Sequence, residues 1–267
     1  MPYLRPLVDS LLDQTYPNLE FVFSDGGSTD PSREFINSLT DPRIRIIEQP
    51  PGTSAAENWT AASQEAQGEF TKLICQDDLL YPHAVEQQVA SLLQTPNAVM
   101  AAASRDIIDA KGRTIARNRG LQGIRDSVTS GSTAIRQCYR KGTNVIGEPL
   151  AVLFRTEVLQ AALPWIDDNP LMLDLSMYSK VAPMGDFCVQ HEAVGAFRVS
   201  SSSWSTKLAR QQVDQTREWQ DDYAREHAHE ISAKDRAQAA LGRTKQTTLR
   251  RVAYRTLQAR GRLTSSA

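Results

Sequence analysis

The chain has 267 residues, 40% of them hydrophobic and 23% charged, and a net charge of −1. That length suits one large α/β domain, or one domain with an appendage. The near-neutral balance gives the whole chain no pull toward nucleic acid, and no run approaches the ~18 apolar residues of a membrane span.

Leu4, Leu7, Leu11 and Leu12 recur at helical spacing, and Tyr16-Pro17-Asn18 closes that helix. Leu19 to Ser24 reads as a buried strand running into Asp25-Gly26-Gly27-Ser28-Thr29-Asp30. Asp30 is an N-cap and Pro31 the first residue of a helix carrying Phe35, Ile36 and Leu39. Arg43 to Ile47 alternates as a strand, Pro50-Pro51-Gly52 is a loop, and a helix through Asn58, Trp59 and Ala62 follows. Phe70 to Cys75 is a strand that stops at Gln76-Asp77-Asp78. A helix from Pro82 to about Gln94 sets Val85, Val89, Leu92 and Leu93 on one face. Ala98 to Ala103 is a strand, and Ile107 to Ile115 a hairpin around Ala110-Lys111-Gly112. This alternation implies an α/β fold with an open, mostly parallel sheet flanked by helices.

Beyond residue 118 the pattern loosens. A polar stretch leads to a helix over Thr133 to Tyr139, a strand over Pro149 to Phe154, and helices near Glu157 and Asp174. Cys188 to Ser200 holds one or two strands, and the sequence from Trp204 onward is polar and helical. Cys75, Cys138 and Cys188 are odd in number and form no CxxC pair, so they read as reduced thiols of a cytoplasmic protein. The first residues lack the basic start and apolar core of a signal peptide.

In open α/β sheets ligands bind beyond the carboxyl ends of strands. Asp25 with its glycines and Asp77-Asp78 both fall there. The first, taken alone, is more often a turn than a ligand contact. Two adjacent carboxylates after an apolar strand repel unless they are solvated or hold a cation. A solvated turn with one Asp capping the next helix is the alternative, and both readings stand at this level.

Four segments in order carry a resemblance: YLRPLVDSLLDQTYPNLEFVFSDGGSTD, NWTAASQEAQGEFTKLICQDDLL, IGEPLAVLFRTEVL, and LDLSMYSKV with GAFRVS after it. Over most of residues 1 to 200 the chain resembles the family-2 glycosyltransferases, nucleotide-diphospho-sugar transferases of GT-A fold. The resemblance implies a Rossmann-like sheet over 1–203 and a basic helical extension over 204–267. It places Asp25 against the nucleotide base, Asn58 in support of the nucleotide site, and Asp77 and Asp78 at the ribose and diphosphate. The diphosphate would be held through Mn2+ or Mg2+, with Asp78 as the direct metal ligand. Asp174 sits where the family has its general base, giving an inverting transfer to a hydroxyl of a glycan or lipid-linked acceptor. Glu148 falls in the acceptor region, where it orients the acceptor or is simply a loop carboxylate. The donor would be a UDP- or dTDP-sugar, and the setting polysaccharide biosynthesis for the cell envelope.

The sequence departs from the family pattern in four places. It begins at the first helix, without the usual first strand; Cys75 and Gly26 stand where many members have Asp; and Ser200 stands where a His often completes the metal site. A truncated, inactive nucleotide-sugar-binding remnant therefore stands beside the enzyme reading. From Lys234 to Arg262 only Asp235 opposes nine basic residues, and Leu249, Val252, Ala253 and Leu257 form an apolar stripe. Such a helix suits the anionic inner face of a membrane, although a charge run taken alone is more often a solvated tail.

Overall fold

The computed structural model describes residues 2–166, 168–201, 203, 206 and 211–264. The leucine stripe forms α1 (Leu4–Leu12), which buries Leu4, Leu7, Val8 and Leu11. β1 (Phe21–Asp25) and β2 (Ile44–Glu48) pair in parallel, with Phe21 opposite Ile44 and Asp25 opposite Glu48. Between them lies α2 (Ser32–Asn37), which starts one residue later than expected. Pro31 takes the cap position, and Asp30 accepts the Ser32 N–H from outside the helix. α3 (Ala55–Gln64) opens on a capping box between Ser54 and Glu57, which satisfies two backbone donors reciprocally.

The larger sheet holds β3 (Phe70–Thr71), β4 (Leu79–Leu80), β5 (Ala98–Asp109), β6 (Thr114–Arg119), β7 (Val128–Ser130), β8 (Val152–Arg155) and β9 (Asp186–Val199). Its main path runs β3-β8-β5-β9-β4, with β6 on β5 and β7 on β9. The long β5–β9 ladder is parallel and pairs Met100 with Phe187 and Asp109 with Val199. The shorter ladders of β8 on β5, β3 on β8 and β4 on β9 are antiparallel. α4 (Ala84–Gln94) packs on β5 and buries Val85, Val89 and Leu92.

Two expected strands differ in extent. The one over Phe70–Cys75 is reduced to Phe70–Thr71, because residues 72–75 have no ladder partner among the described residues. The β1–β2 pair likewise stands as a separate sheet. Pro149–Ala151 forms a short 3-10 turn before β8, since proline supplies no N–H to a ladder. Cys188 to Val199 lies in one long strand, the first of the two arrangements expected there.

α5 (Gly131–Lys141), α6 (Thr156–Ala162) and α7 (Leu173–Val181) cover the β5–β8 side, closing a core around Met100, Phe154, Tyr178 and Phe187. Trp59 packs edge-on against Trp165 at 5.3 Å, a core role as its helical position suggests. The last two helices, α8 (Gln212–Glu226) and α9 (Ala233–Ala259), belong to the same body, because Trp219, Tyr223, Ile231 and Ala239 lie in that core. Trp204, where helical sequence was expected to begin, lies outside the described residues.

α9 is docked, not a solvated tail. Its buried Asp235 accepts from Arg136 at 2.6 Å and from Arg140, and the Arg136 bond leads the effects that hold its carboxyl well below the usual range. Gly142 adopts φ +60°, and a Cβ there would meet the Arg243 nitrogen at 2.5 Å. A Cβ on Gly242 would meet the Arg140 oxygen at 2.4 Å, so two backbones touch where both residues are glycine. At the far end Arg262 donates to Asp109 at 2.7 Å, and Ser201 N–H donates to Leu263 O at 2.7 Å.

Candidate active site

Asp77 and Asp78 sit in the loop between β3 and β4. The Asp78 side chain accepts the Arg198 backbone N–H at 3.0 Å and is turned inward, with the residue only 1% exposed. Burial, and then the Asp77 charge, push its carboxyl well above the usual carboxylate range. Asp77 is more open; burial raises it as well, and Ser203 Oγ donates to it at 3.4 Å. Arg198, on β9, gives its guanidinium to main-chain oxygens, Asp77 O at 2.7 Å and Asp109 O at 3.2 Å. It also stacks over the Tyr3 ring at 4.5 Å. Ser200 is buried and bonded to Ser203, so at the position noted for a metal-completing histidine the structure has a hydroxyl relay ending on Asp77.

Asp174 stands in the first turn of α7. One carboxylate oxygen accepts the Leu175 N–H at 2.7 Å and the other accepts Asn144 Nδ2 at 2.9 Å. Asn144 is the hub of its loop, because the same amide also donates to Gly147 O and accepts from the Ile146 and Gly147 N–H groups. Glu148 follows and pairs with Arg105 of β5, whose guanidinium also donates to Arg119 O at 2.9 Å. Burial pushes Asp174 up to about 7; the Glu148 charge adds to this, while Leu175, Asn144 and Arg105 oppose it. A carboxylate poised near neutrality is matched to proton abstraction at physiological pH.

The half-buried Cys75 thiol lies between the two groups. Its proton affinity is raised by burial, then by the charges of Asp78, Asp77, Asp174 and Glu148. The charges of four carboxylates from three separate segments are therefore felt at one thiol. Asp25 and Asn58 form a second group at the end of β1. Asn58 donates to Ser24 O at 3.3 Å and accepts from the Ser24 hydroxyl, which locks α3 to the strand end. Asp25 is buried, which alone would raise its carboxyl, but the Ser28 and Arg33 hydrogen bonds outweigh this and hold it below the usual range. Gly27 has φ +81°, and a Cβ there would strike Pro51 Cα at 2.7 Å, so this turn needs glycine.

Among the described residues no group of three or more His, Cys, Asp and Glu side chains is placed to enclose a metal. The local chemistry still fits one. Asp78 is a buried carboxylate and Asp77 a half-buried one, and neither forms a salt bridge among the described residues. A hard cation held by one or two carboxylates takes its other oxygens from phosphate and water. Arg105, Asn144 and Arg198 were missed by sequence reasoning. Only Asn144, a polar residue shortly before Glu148 in an apolar loop, carried any local signal.

A family model described as glycosyl transferase family 2 matches residues 1–162. An uncharacterized glycosyltransferase of Haemophilus influenzae is 30% identical over 115 residues, 42% of this chain and 46% of that protein. A chondroitin synthase of Pasteurella multocida is 41% identical over 86 residues, 32% of this chain and 9% of the synthase. The matched segments thus span less than half of either relative. Among solved structures, Staphylococcus aureus TarS 1-349 in complex with UDP-GlcNAc superposes with a TM-score of 0.60 at 14% identity, covering 80% of this chain and 62% of that one. The mannosyltransferase PcManGT of Pyrobaculum calidifontis, in complex with GDP-Man and Mn2+, gives 0.57 at 17% identity, covering 90% and 70%. The fold is that of the GT-A glycosyltransferases.

Proposed function

The chain belongs to glycosyl transferase family 2, and from that premise we propose that it moves a sugar from a nucleoside-diphosphate donor to an acceptor hydroxyl, inverting the anomeric carbon. The reading is supported by the effect of the Asp77, Asp78, Glu148 and Asp174 charges on the one thiol of Cys75, and by Asp174 being held near neutrality by its enclosure and its Asn144 and Leu175 hydrogen bonds. Asp25 and Asn58 define the nucleotide end, and Asp77 and Asp78 the diphosphate. A bound Mn2+ or Mg2+, with Asp78 as its direct ligand, would supply positive charge for the departing diphosphate. Asp174, oriented by Asn144 and the Leu175 N–H, takes the acceptor proton. Glu148, fixed by Arg105, keeps a second carboxylate beside it to orient the acceptor, a glycan or lipid-linked saccharide.

The test is a donor screen with UDP-GlcNAc, UDP-glucose, dTDP-glucose and GDP-mannose, following nucleoside diphosphate release with and without Mn2+. Release from none of them, together with calorimetric binding of UDP, would favour a non-catalytic nucleotide-sugar binder. For an active donor, turnover should follow a single ionisation near pH 7, because Asp174 must be ionised to accept a proton and its carboxyl lies at about 7. The rate should fall below that pH and level off above it. A profile flat from pH 5 to 9 would remove Asp174 from the chemistry.

No helix among the described residues is long and apolar enough to cross a membrane. The outer face of α9 nevertheless exposes Leu241 (73%), Leu249 (53%) and Val252 (60%) beside Lys245, Arg251 and Arg255. Each basic residue near an anionic surface contributes about 1 kcal/mol, and the apolar side chains add burial. The proposal includes peripheral contact of this face with an anionic membrane. Co-sedimentation with phosphatidylserine vesicles should weaken by about tenfold or more in Leu249→Glu/Val252→Glu. Equal binding by this variant and the parent would dismiss the contact.

A further inference from the structure

We propose that α9 is a component of the catalytic pocket, with Arg250 as a positioning residue that holds the loop 143–148 and, through Asn144, the Asp174 carboxylate. The inference rests on the reading of Asp174 as the base. Its geometric basis is the close approach of the two glycines, Gly142 after α5 and Gly242 on α9, which leaves no room for a Cβ on either backbone. About two turns beyond Gly242, the Arg250 guanidinium donates to Thr143 Oγ1 at 2.6 Å. Thr143 is buried and immediately precedes Asn144. Asn144 grips both Asp174 and the backbone of Ile146 and Gly147, so the loop that carries Glu148 hangs from the same hydrogen-bonded corner.

The charges point the same way. Arg250 lies in an enclosed setting, where burial works against its charge while Tyr254, Glu148 and Asp174 favour it. Other groups already face Asp174: Cys75 from the acidic loop, Cys138 from α5, Glu148 and Asn144 from the loop, Arg105 from β5 and Tyr178 on its own helix. Arg250 is the second guanidinium in this set, and it is delivered by a helix remote in sequence. Removing it takes a positive charge from the pocket and frees the Thr143 corner. Both changes leave Asp174 holding its proton more tightly, so less of it is ionised above pH 7.

The experiment uses the full chain with 13C-labelled aspartate, titrated by carboxyl NMR. Asp174→Asn identifies the Asp174 signal, and thermal unfolding checks each variant. Arg250→Gln should move the Asp174 titration upward by about half a pH unit or more, with Arg250→Lys restoring part of the shift. Thr143→Val, which keeps the guanidinium, should shift it in the same direction, and the double variant should be less than additive. Arg251→Gln, an exposed neighbour, should leave the titration in place. The proposal is overturned if folded Arg250→Gln and Thr143→Val both titrate like the parent, or if Arg251→Gln shifts Asp174 equally. Should Arg250→Gln fail to fold, Thr143→Val alone decides. The base reading is tested separately by turnover of Asp174→Asn. If that variant turns over normally, the base reading fails, while the titrations still report whether Arg250 positions the carboxylate.

Discussion

Asp174→Asn is expected to lower sugar transfer by about 10²- to 10⁴-fold, the range a general base supplies, while donor binding persists. The amide oxygen keeps one of the two acceptors, for Asn144 or the Leu175 N–H, and relief of the buried charge offsets the bond that is lost. Loss of rate without loss of fold can be checked through stability. The native carboxyl is raised to about 7 from 3.8, so the native state holds this proton more tightly than the unfolded chain does. Its contribution to stability is complete below about pH 4 and is lost as pH rises through 7. Asp174→Asn should therefore unfold no more easily than the parent at pH 8, and should lack that part of the pH dependence. Near-normal transfer by this variant would end its assignment as base.

Asp78→Asn is expected to cut diphosphate release by about 10²- to 10³-fold and to abolish its dependence on Mn2+. Asparagine retains an acceptor for the Arg198 N–H and relieves a buried charge, so melting temperature should hold. Asp78→Ala should lose the same activity and also leave the Arg198 N–H without its acceptor, at a cost of about 1–3 kcal/mol. The two variants separate metal binding from support of β9. Full Mn2+-dependent turnover by Asp78→Asn would move the metal assignment to Asp77, the more open of the two carboxylates.

Much of the candidate site was legible because the proposed chemistry sits at places that local sequence marks. Asp25 and the Asp77-Asp78 pair follow apolar runs, and Gly27 is required where its turn meets Pro51. Asp174 had no such local mark, since an acid in a first helical turn is commonplace; the family resemblance singled it out. Its partners were invisible. Asn144 lies 30 positions away from Asp174, and Arg105 lies 43 positions from Glu148. The strand expected through Cys75 was overextended because apolar composition predicts burial, whereas a strand also requires a ladder partner.

The C-terminal helix shows where local reading ends. Periodicity and the Ser232–Asp235 capping box specify a helix there, and seven basic residues against one acid specify its charge. Those features depend on neighbours a few positions apart, so the chain encodes them before it folds. Whether the helix is a solvated tail or a wall of the pocket depends on Gly142 meeting Gly242, Asp235 meeting Arg136, and Arg250 reaching Thr143. The proton affinity of Asp174 is of the same kind. An aspartate in sequence titrates near 3.8, and only enclosure beside Glu148 carries it to about 7, because the cost of a buried charge is set by what surrounds it in space.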